Sequence, residues 1–235
     1  MKRLHILYTL LFIWLLPVTS NGQPAGKEKL RVISYNIWNG FEHDASRRAN
    51  FINWIKGQQP DILAMTELVG FTEKDLGQLA SEYGHKYYAI VKEEGYPVGI
   101  TSNEPITVVK KQMEGFWHGM LHVKTHGLDM IVTHLSPHDW KFRLKEAQML
   151  TSYIQDNQLD NCMVMGDFNA YSPFDADWVE THAQLIENMQ KWDAEQETYR
   201  NMRDGRFDYS VLSKFLSIGL TDICRLYVPA DKRTT

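Results

Sequence analysis

Hydrophobic and polar positions along this chain change period several times, and each change marks an element. Leu30-Arg31-Val32-Ile33-Ser34-Tyr35-Asn36 is a short apolar run with polar residues at its end, which predicts a buried strand. Residues 46–56 have helical spacing, and Pro60 then introduces a second strand over 61–67. Thr72 stands three residues before Asp75, the spacing of a capping box, and Leu76, Leu79, Ala80 and Tyr83 recur at i, i+3, i+4 and i+7. That pattern predicts an amphipathic helix ending at Gly84. From 86 to 135 the period shortens to that of strands, at 87–91, 98–102, 106–111, 120–124 and 130–134, with His126-Gly127 as a tight turn between the last two. A helix over 141–155, a buried strand over 161–166 and helices over 173–188 and 210–218 complete the reading.

Helices on both sides of a block of consecutive strands predict a layered α/β sandwich with antiparallel pairing, not an alternating nucleotide-binding sheet. No glycine-rich phosphate loop is present in the 235 residues, so nucleotide-cofactor chemistry has no support. No repeat or long linker divides residues 23–235, which read as one domain.

Composition adds three constraints. At 43% hydrophobic and 12% aromatic residues the chain can bury a core that offsets its conformational entropy. Two cysteines, Cys162 and Cys224, are too few for a disulfide scaffold and leave one bridge open. Lys2 and Arg3 precede an apolar run from Ile6 to Leu16, then Pro17 and small polar residues, which is the order of a secretory signal peptide over residues 1–22. The run is shorter than the roughly 20 residues that span a bilayer, so the expected location is secreted or periplasmic, with no transmembrane segment. Removing Lys2 and Arg3 and no acid leaves 23 basic against 29 acidic residues, a net charge of −6. That balance disfavours nucleic acid as partner but does not exclude a local basic groove.

The strands end in residues that carry chemistry: Ser34-Tyr35-Asn36, Thr66-Glu67, Thr133-His134 and Gly166-Asp167-Phe168-Asn169. Strand ends in layered α/β proteins are a usual place for a site. Two carboxylates and an amide suit a hard cation such as Mg²⁺ or Mn²⁺, and an imidazole adds a proton donor. Taken singly, Asn36 reads equally as the start of a turn, Glu67 as a helix cap and Gly166-Asp167 as a turn.

In this order, the stretches Val32-Ile33-Ser34-Tyr35-Asn36, Pro60-Asp61-Ile62-Leu63-Ala64-Met65-Thr66-Glu67, Val132-Thr133-His134-Leu135 and Met165-Gly166-Asp167-Phe168-Asn169 resemble the metal-dependent endonuclease/exonuclease/phosphatase superfamily. The resemblance implies two mixed, largely antiparallel sheets packed face to face with helices on the outer faces (an α/β, or α+β, sandwich). It implies hydrolysis of a phosphodiester or phosphomonoester by activated water, with Mg²⁺ or Mn²⁺ as cofactor. Glu67 and Asn36 would be metal ligands, Asp167 would orient or deprotonate the water, Asn169 would bind a phosphate oxygen, and His134 would stabilise the charge developing on the phosphate. His118, His138 and Arg143 are candidate substrate contacts.

The family pattern also includes a terminal Arg-x-Asp-Tyr strand and a Ser-Asp-His turn. No histidine follows His182, and Gly219-Leu220-Thr221-Asp222 resembles the element before those strands, so the expectation is a chain incomplete at its carboxyl end, lacking the terminal strands. Arg206-Phe207-Asp208-Tyr209 mimics the first motif but precedes a helix, which makes Asp208 a helix cap. A catalytically silent metal- or ligand-binding domain on the same scaffold is the alternative reading.

Overall fold

The computed structural model describes residues 29–229 and 232; the expected leader, residues 1–22, lies outside them. In β1 (Val32–Asn36) successive side chains point to opposite faces, Val32 into one hydrophobic cluster and Ile33 into another. β1 pairs in parallel with β2 (Ile62–Thr66), and β2 pairs antiparallel with β4 (Gly99–Ser102), which pairs with β3 (Tyr87–Ile90). The first sheet therefore has the order β1-β2-β4-β3. The second has the order β5-β6-β7-β8, from β5 (Thr107–Gln112), β6 (Met120–Thr125), β7 (Leu128–His134) and β8 (Cys162–Asp167), with β7 and β8 parallel and the rest antiparallel.

Ile62, Ala64 and Ile100 of the first sheet pack between the sheets with Leu121, Val123 and Val132 of the second. Leu63 and Met65 point the other way, under Phe41 of the short left-handed turn α1 (Trp38–Phe41), Phe51, Ile52 and Ile55 of α2 (Ala45–Gln58) and Leu76 and Leu79 of α3 (Glu73–Glu82). Because β2 is covered on both faces, all five of its residues are buried and its sequence reads as a continuous apolar run. On the far side, Ala147, Leu150 and Ile154 of α4 (Trp140–Asp156) and Val211 and Phe215 of α7 (Ser210–Leu216) cover Met120 and Ile131. The expected sandwich of two mixed sheets with helices outside is what forms.

The capping box at Thr72 and Asp75 is present in full; the N-cap position of α7 falls on Tyr209 and not on Asp208 as expected, although Asp208 Oδ2, one residue earlier, accepts from Ser210 N and Oγ at the helix start. The single helix expected over 173–188 is instead a 3-10 turn (Pro173–Asp175), α5 (Ala176–Thr181) and α6 (Ala183–Ala194). The break falls at His182, whose Nδ1 donates to Trp178 O at 2.6 Å. A hairpin, β9 (Met202–Arg203) with β10 (Arg206–Phe207), turns at Asp204-Gly205, and a last short helix, α8 (Ile223–Tyr227), starts on the Asp222 cap. Cys162 and Cys224 are both free. Among the described residues no helix is long and apolar enough to cross a membrane.

Candidate active site

The two parallel strand pairs place their carboxyl ends together. Asn36 lies opposite Thr66 in one sheet, His134 opposite Asp167 in the other, and β1 packs across the sandwich against β8. Gly166 makes the second alignment feasible: its φ is +127°, and a Cβ there would sit 1.8 Å from Thr133 O. A cleft of about 680 Å³ opens at this end, lined in part by Asn36, Thr66, Asp167 and Asn169.

The centre of the cluster is one amide. Asn36 Nδ2 donates to Glu67 Oε1 at 2.9 Å and to Asp167 Oδ2 at 3.1 Å, while Asn36 Oδ1 accepts from Trp38 N at 2.8 Å. Glu67 Oε2 accepts from the backbone N–H of Asn39 at 2.8 Å. Among the described residues neither carboxylate is paired with a lysine or arginine; the nearest cationic candidate is His134, whose Nε2 lies 3.8 Å from Asp167 Oδ2. His134 is buried, and burial holds its pKa below the usual 6.5 against the opposing pull of Asp167 and Glu67. It therefore sits as neutral imidazole at neutral pH, able to donate a hydrogen bond but carrying no fixed charge.

Asn169, the residue the resemblance gives a phosphate oxygen, lies beyond the strand. β8 ends at Asp167; Asn169 is left-handed (φ +47°), and its N–H folds back to Asp167 Oδ1 at 3.0 Å. One of its amide protons goes to Leu135 O at 2.9 Å, leaving the other for the cleft. Phe168 does turn into the core, edge-on to Phe215.

The three candidate substrate contacts fare differently. Arg143 is buried: its guanidinium donates to Ser136 O and to the side-chain and backbone oxygens of Asn201, so it braces a loop that lines the cleft. His118 stacks on His134 at 4.3 Å, is 5% exposed, and is pushed down to about 3 by burial and then by His134, so it backs that ring. His138 lies stacked against Trp192 and Tyr199 with Trp117 at its edge, a wall of aromatic rings beside the site.

One residue went unread in the sequence. Glu146 is completely buried and accepts from Trp117 N and Ser136 N, both at 2.8 Å, tying the loop that carries His118 to the loop that follows His134 at the end of β7. Burial pushes its carboxyl up to about 7 against the lowering effect of those two donors and of Arg143. The signal was an acid lying on the apolar stripe of α4, beside Ala147 and one turn from Leu150.

The donor set fits a hard cation. It offers carboxylate and amide groups with no thiolate, and the two carboxylates, Asp167 lining the cleft and Glu67 buried beside it, share one amide with no lysine or arginine paired to either among the described residues. No group of three or more His, Cys, Asp or Glu converges among the described residues, and the Asn36 amide faces the two carboxylates with Nδ2 while its Oδ1 is held by Trp38 N.

The sequence profile of the Endonuclease/Exonuclease/phosphatase family matches residues 33–215. Among solved structures, an AP endonuclease from Archaeoglobus fulgidus is similar, with 20% identity, a TM-score of 0.56 and coverage of 84% of this chain and 74% of that one. So is a variant of the 3′ phosphatase NExo from Neisseria bound to product DNA hairpin, with 17% identity, a TM-score of 0.60 and coverage of 86% and 76%. The 3′-5′ exonuclease NExo from Neisseria meningitidis has 18% identity, a TM-score of 0.59 and coverage of 84% and 74%. At these identities the likeness is one of fold. No curated protein matches the sequence. The family profile spans every strand end that builds the cleft, and this protein belongs to the Endonuclease/Exonuclease/phosphatase family.

Proposed function

We propose that the protein hydrolyses a phosphate monoester or diester by attack of water in this cleft, with Mg²⁺ or Mn²⁺ as cofactor. The observation that carries the reading is the pair of carboxylates joined by Asn36 Nδ2 and, among the described residues, balanced by no lysine or arginine. Glu67 would hold the cation through its carboxylate, and Asn36 would join it only by offering Oδ1, which accepts from Trp38 N here, in place of the Nδ2 that now faces the carboxylates. When bound, the cation supplies Lewis-acid activation and offsets negative charge developing on the phosphate. Asp167 accepts the proton of the attacking water, and its Oδ1 is steadied by the Asn169 N–H. His134, neutral and backed by His118, donates a hydrogen bond to a phosphate oxygen, and the free amide proton of Asn169 makes a second such contact.

One similar structure holds a DNA product. The excess of acidic residues in this chain, 29 against 25, favours a small phosphate ester over a polynucleotide.

Hydrolysis of p-nitrophenyl phosphate and bis-p-nitrophenyl phosphate, in Mg²⁺, Mn²⁺ or chelator, tests this. Turnover is expected only with cation, and Asp167→Asn should lower it by about a hundredfold or more. Full activity in chelator overturns the proposal. The alternative, a silent binding domain, draws on the 3.8 Å between His134 and Asp167, too long for a hydrogen-bonded acid–imidazole pair. It predicts calorimetric cation binding with no turnover of either ester.

A further inference from the structure

We infer that the left-handed turn after β1 is a backbone clamp for the Glu67 carboxylate, with Asn39 and Gly40 as its positioning residues; this rests on the reading of Glu67 as the cation-binding carboxylate. Residues 38–43 all have positive φ: Trp38 +57°, Asn39 +49°, Gly40 +61°, Phe41 +65°, Glu42 +54° and His43 +57°. L-residues visit this region singly, because Cβ crowds the following carbonyl, and only one of the six is glycine. A run of this hand persists only where its surroundings over-determine it.

The surroundings are specific. Trp38 N is held by Asn36 Oδ1, the Trp38 indole by Glu42 Oε1 at 3.1 Å, and Phe41 is buried with its ring 5.1 Å from Phe51. Two successive amides of the turn then go to a single residue: Asn39 N–H to Glu67 Oε2 and Gly40 N–H to the Glu67 carbonyl, each at 2.8 Å. Glu67 is itself left-handed (φ +60°), and its carbonyl also accepts from Val69 N at 2.7 Å. The approach requires glycine at 40, since a Cβ there would lie 2.1 Å from Val69 O.

The grip fixes both carboxylate oxygens and leaves capacity on each. Oε1 has one donor, Asn36 Nδ2, and Oε2 has one, the Asn39 amide, while a carboxylate oxygen offers two acceptor directions. A backbone N–H cannot swing away as a side chain can, so the carboxylate is oriented before any cation arrives, which removes an ordering cost from binding. The side chain of Asn39 takes no part; its main chain does.

The test is Mn²⁺ and Mg²⁺ affinity by calorimetry, read beside melting temperature in chelator, on the full chain. Replacing the residue-39 amide by an ester, using the α-hydroxy analogue of asparagine, removes only the N–H to Glu67 Oε2. Its cation Kd is expected to rise about tenfold with the chelator melting temperature little changed. Asn39→Gly keeps the N–H and suits positive φ, so its Kd should stay within about twofold of wild type and its melting temperature should not fall. Gly40→Ala should weaken cation binding at least as much as the ester; should it fail to fold, the ester variant still decides. An ester variant with wild-type Kd in a protein that binds cation overturns the clamp alone. Wild-type protein that binds neither cation overturns the reading of Glu67 and the clamp with it.

Discussion

Asn36→Asp replaces the bridging amide with a third carboxylate of nearly the same shape, and the structure says how that should register. Nδ2 lies 2.9 Å from Glu67 Oε1 and 3.1 Å from Asp167 Oδ2, so an oxygen in its place turns two hydrogen bonds into two like-charge contacts. Losing the bonds costs about 1 kcal/mol each at any pH. Two unit charges about 3 Å apart at an effective dielectric of about 20 repel by about 5 kcal/mol, but protonation caps the cost, because the cluster takes up a proton before it tolerates three charges. If one carboxyl is driven from about 4 to about 6 or 7, each unit is worth about 1.4 kcal/mol. The Asp167 side chain is 34% exposed, so solvent screening trims the total to about 2–3 kcal/mol.

The sign follows from linkage. A carboxyl whose folded-state pKa is raised binds its proton more tightly when folded, so the variant loses stability as pH rises from about 4 to about 7 and then levels off. Denaturant unfolding in chelator at pH 5 and pH 8 should show Asn36→Ala offset from wild type by a nearly constant amount. Asn36→Asp should fall further behind by about 2–3 kcal/mol at the higher pH, and Mg²⁺ should narrow that gap. Curves for the two variants that run parallel at every pH would show that the three groups do not share one site.

Three further outcomes are expected. Buried His118, depressed to about 3, resists a proton that the unfolded chain accepts near 6.5, so stability should fall as pH drops from about 6 to 4 by about 1.4 kcal/mol per unit; His118→Phe should flatten that slope in a denaturation series, and an unchanged slope rejects the assignment. Phe168→Ala removes a half-buried ring packed on Phe215 and should cost about 2–3 kcal/mol, less than full burial would, with cation affinity by calorimetry unchanged; a stable variant that no longer binds cation would mean the strand end faces the other way. Expressed in a bacterium with a general secretion pathway, the chain should be recovered outside the cytoplasm beginning near residue 23, whereas an amino-terminal sequence starting at Met1 contradicts the leader reading.

Much of the fold was legible because its strands and main helices differ in hydrophobic period, and because Thr72 with Asp75 announces a helix start. The break at His182 was not, since the apolar spacing runs on from α5 into α6 although the chain turns between them. The Asp204-Gly205 hairpin carried a standard turn signal, but its strands are two residues each, too short for an alternating pattern to show. The strand reading stopped at residue 166 and left the conformation of Asn169 open; the backbone turns left-handed there, and the turn lets its N–H reach Asp167.

The site divides along the same line. Its position follows from topology: each sheet contains one parallel pair, the pairs face each other across the sandwich, and so β1, β2, β7 and β8 all finish at one end. Strand periodicity marks Asn36, Glu67, His134 and Asp167 as strand-end residues, and the two parallel pairings bring them together. What orients them is invisible to periodicity. The Glu67 carboxylate is set by a main-chain N–H inside a left-handed turn whose sequence, Trp38-Asn39-Gly40-Phe41-Glu42-His43, has only Asn39-Gly40 to suggest positive φ, and the loops next to the two stacked histidines, at Trp117 and Ser136, are tied by Glu146, an acid hidden on an apolar helix face. Both depend on contacts between segments distant in sequence, and a sequence pattern records which residues a strand ends on but not which distant amide will meet them.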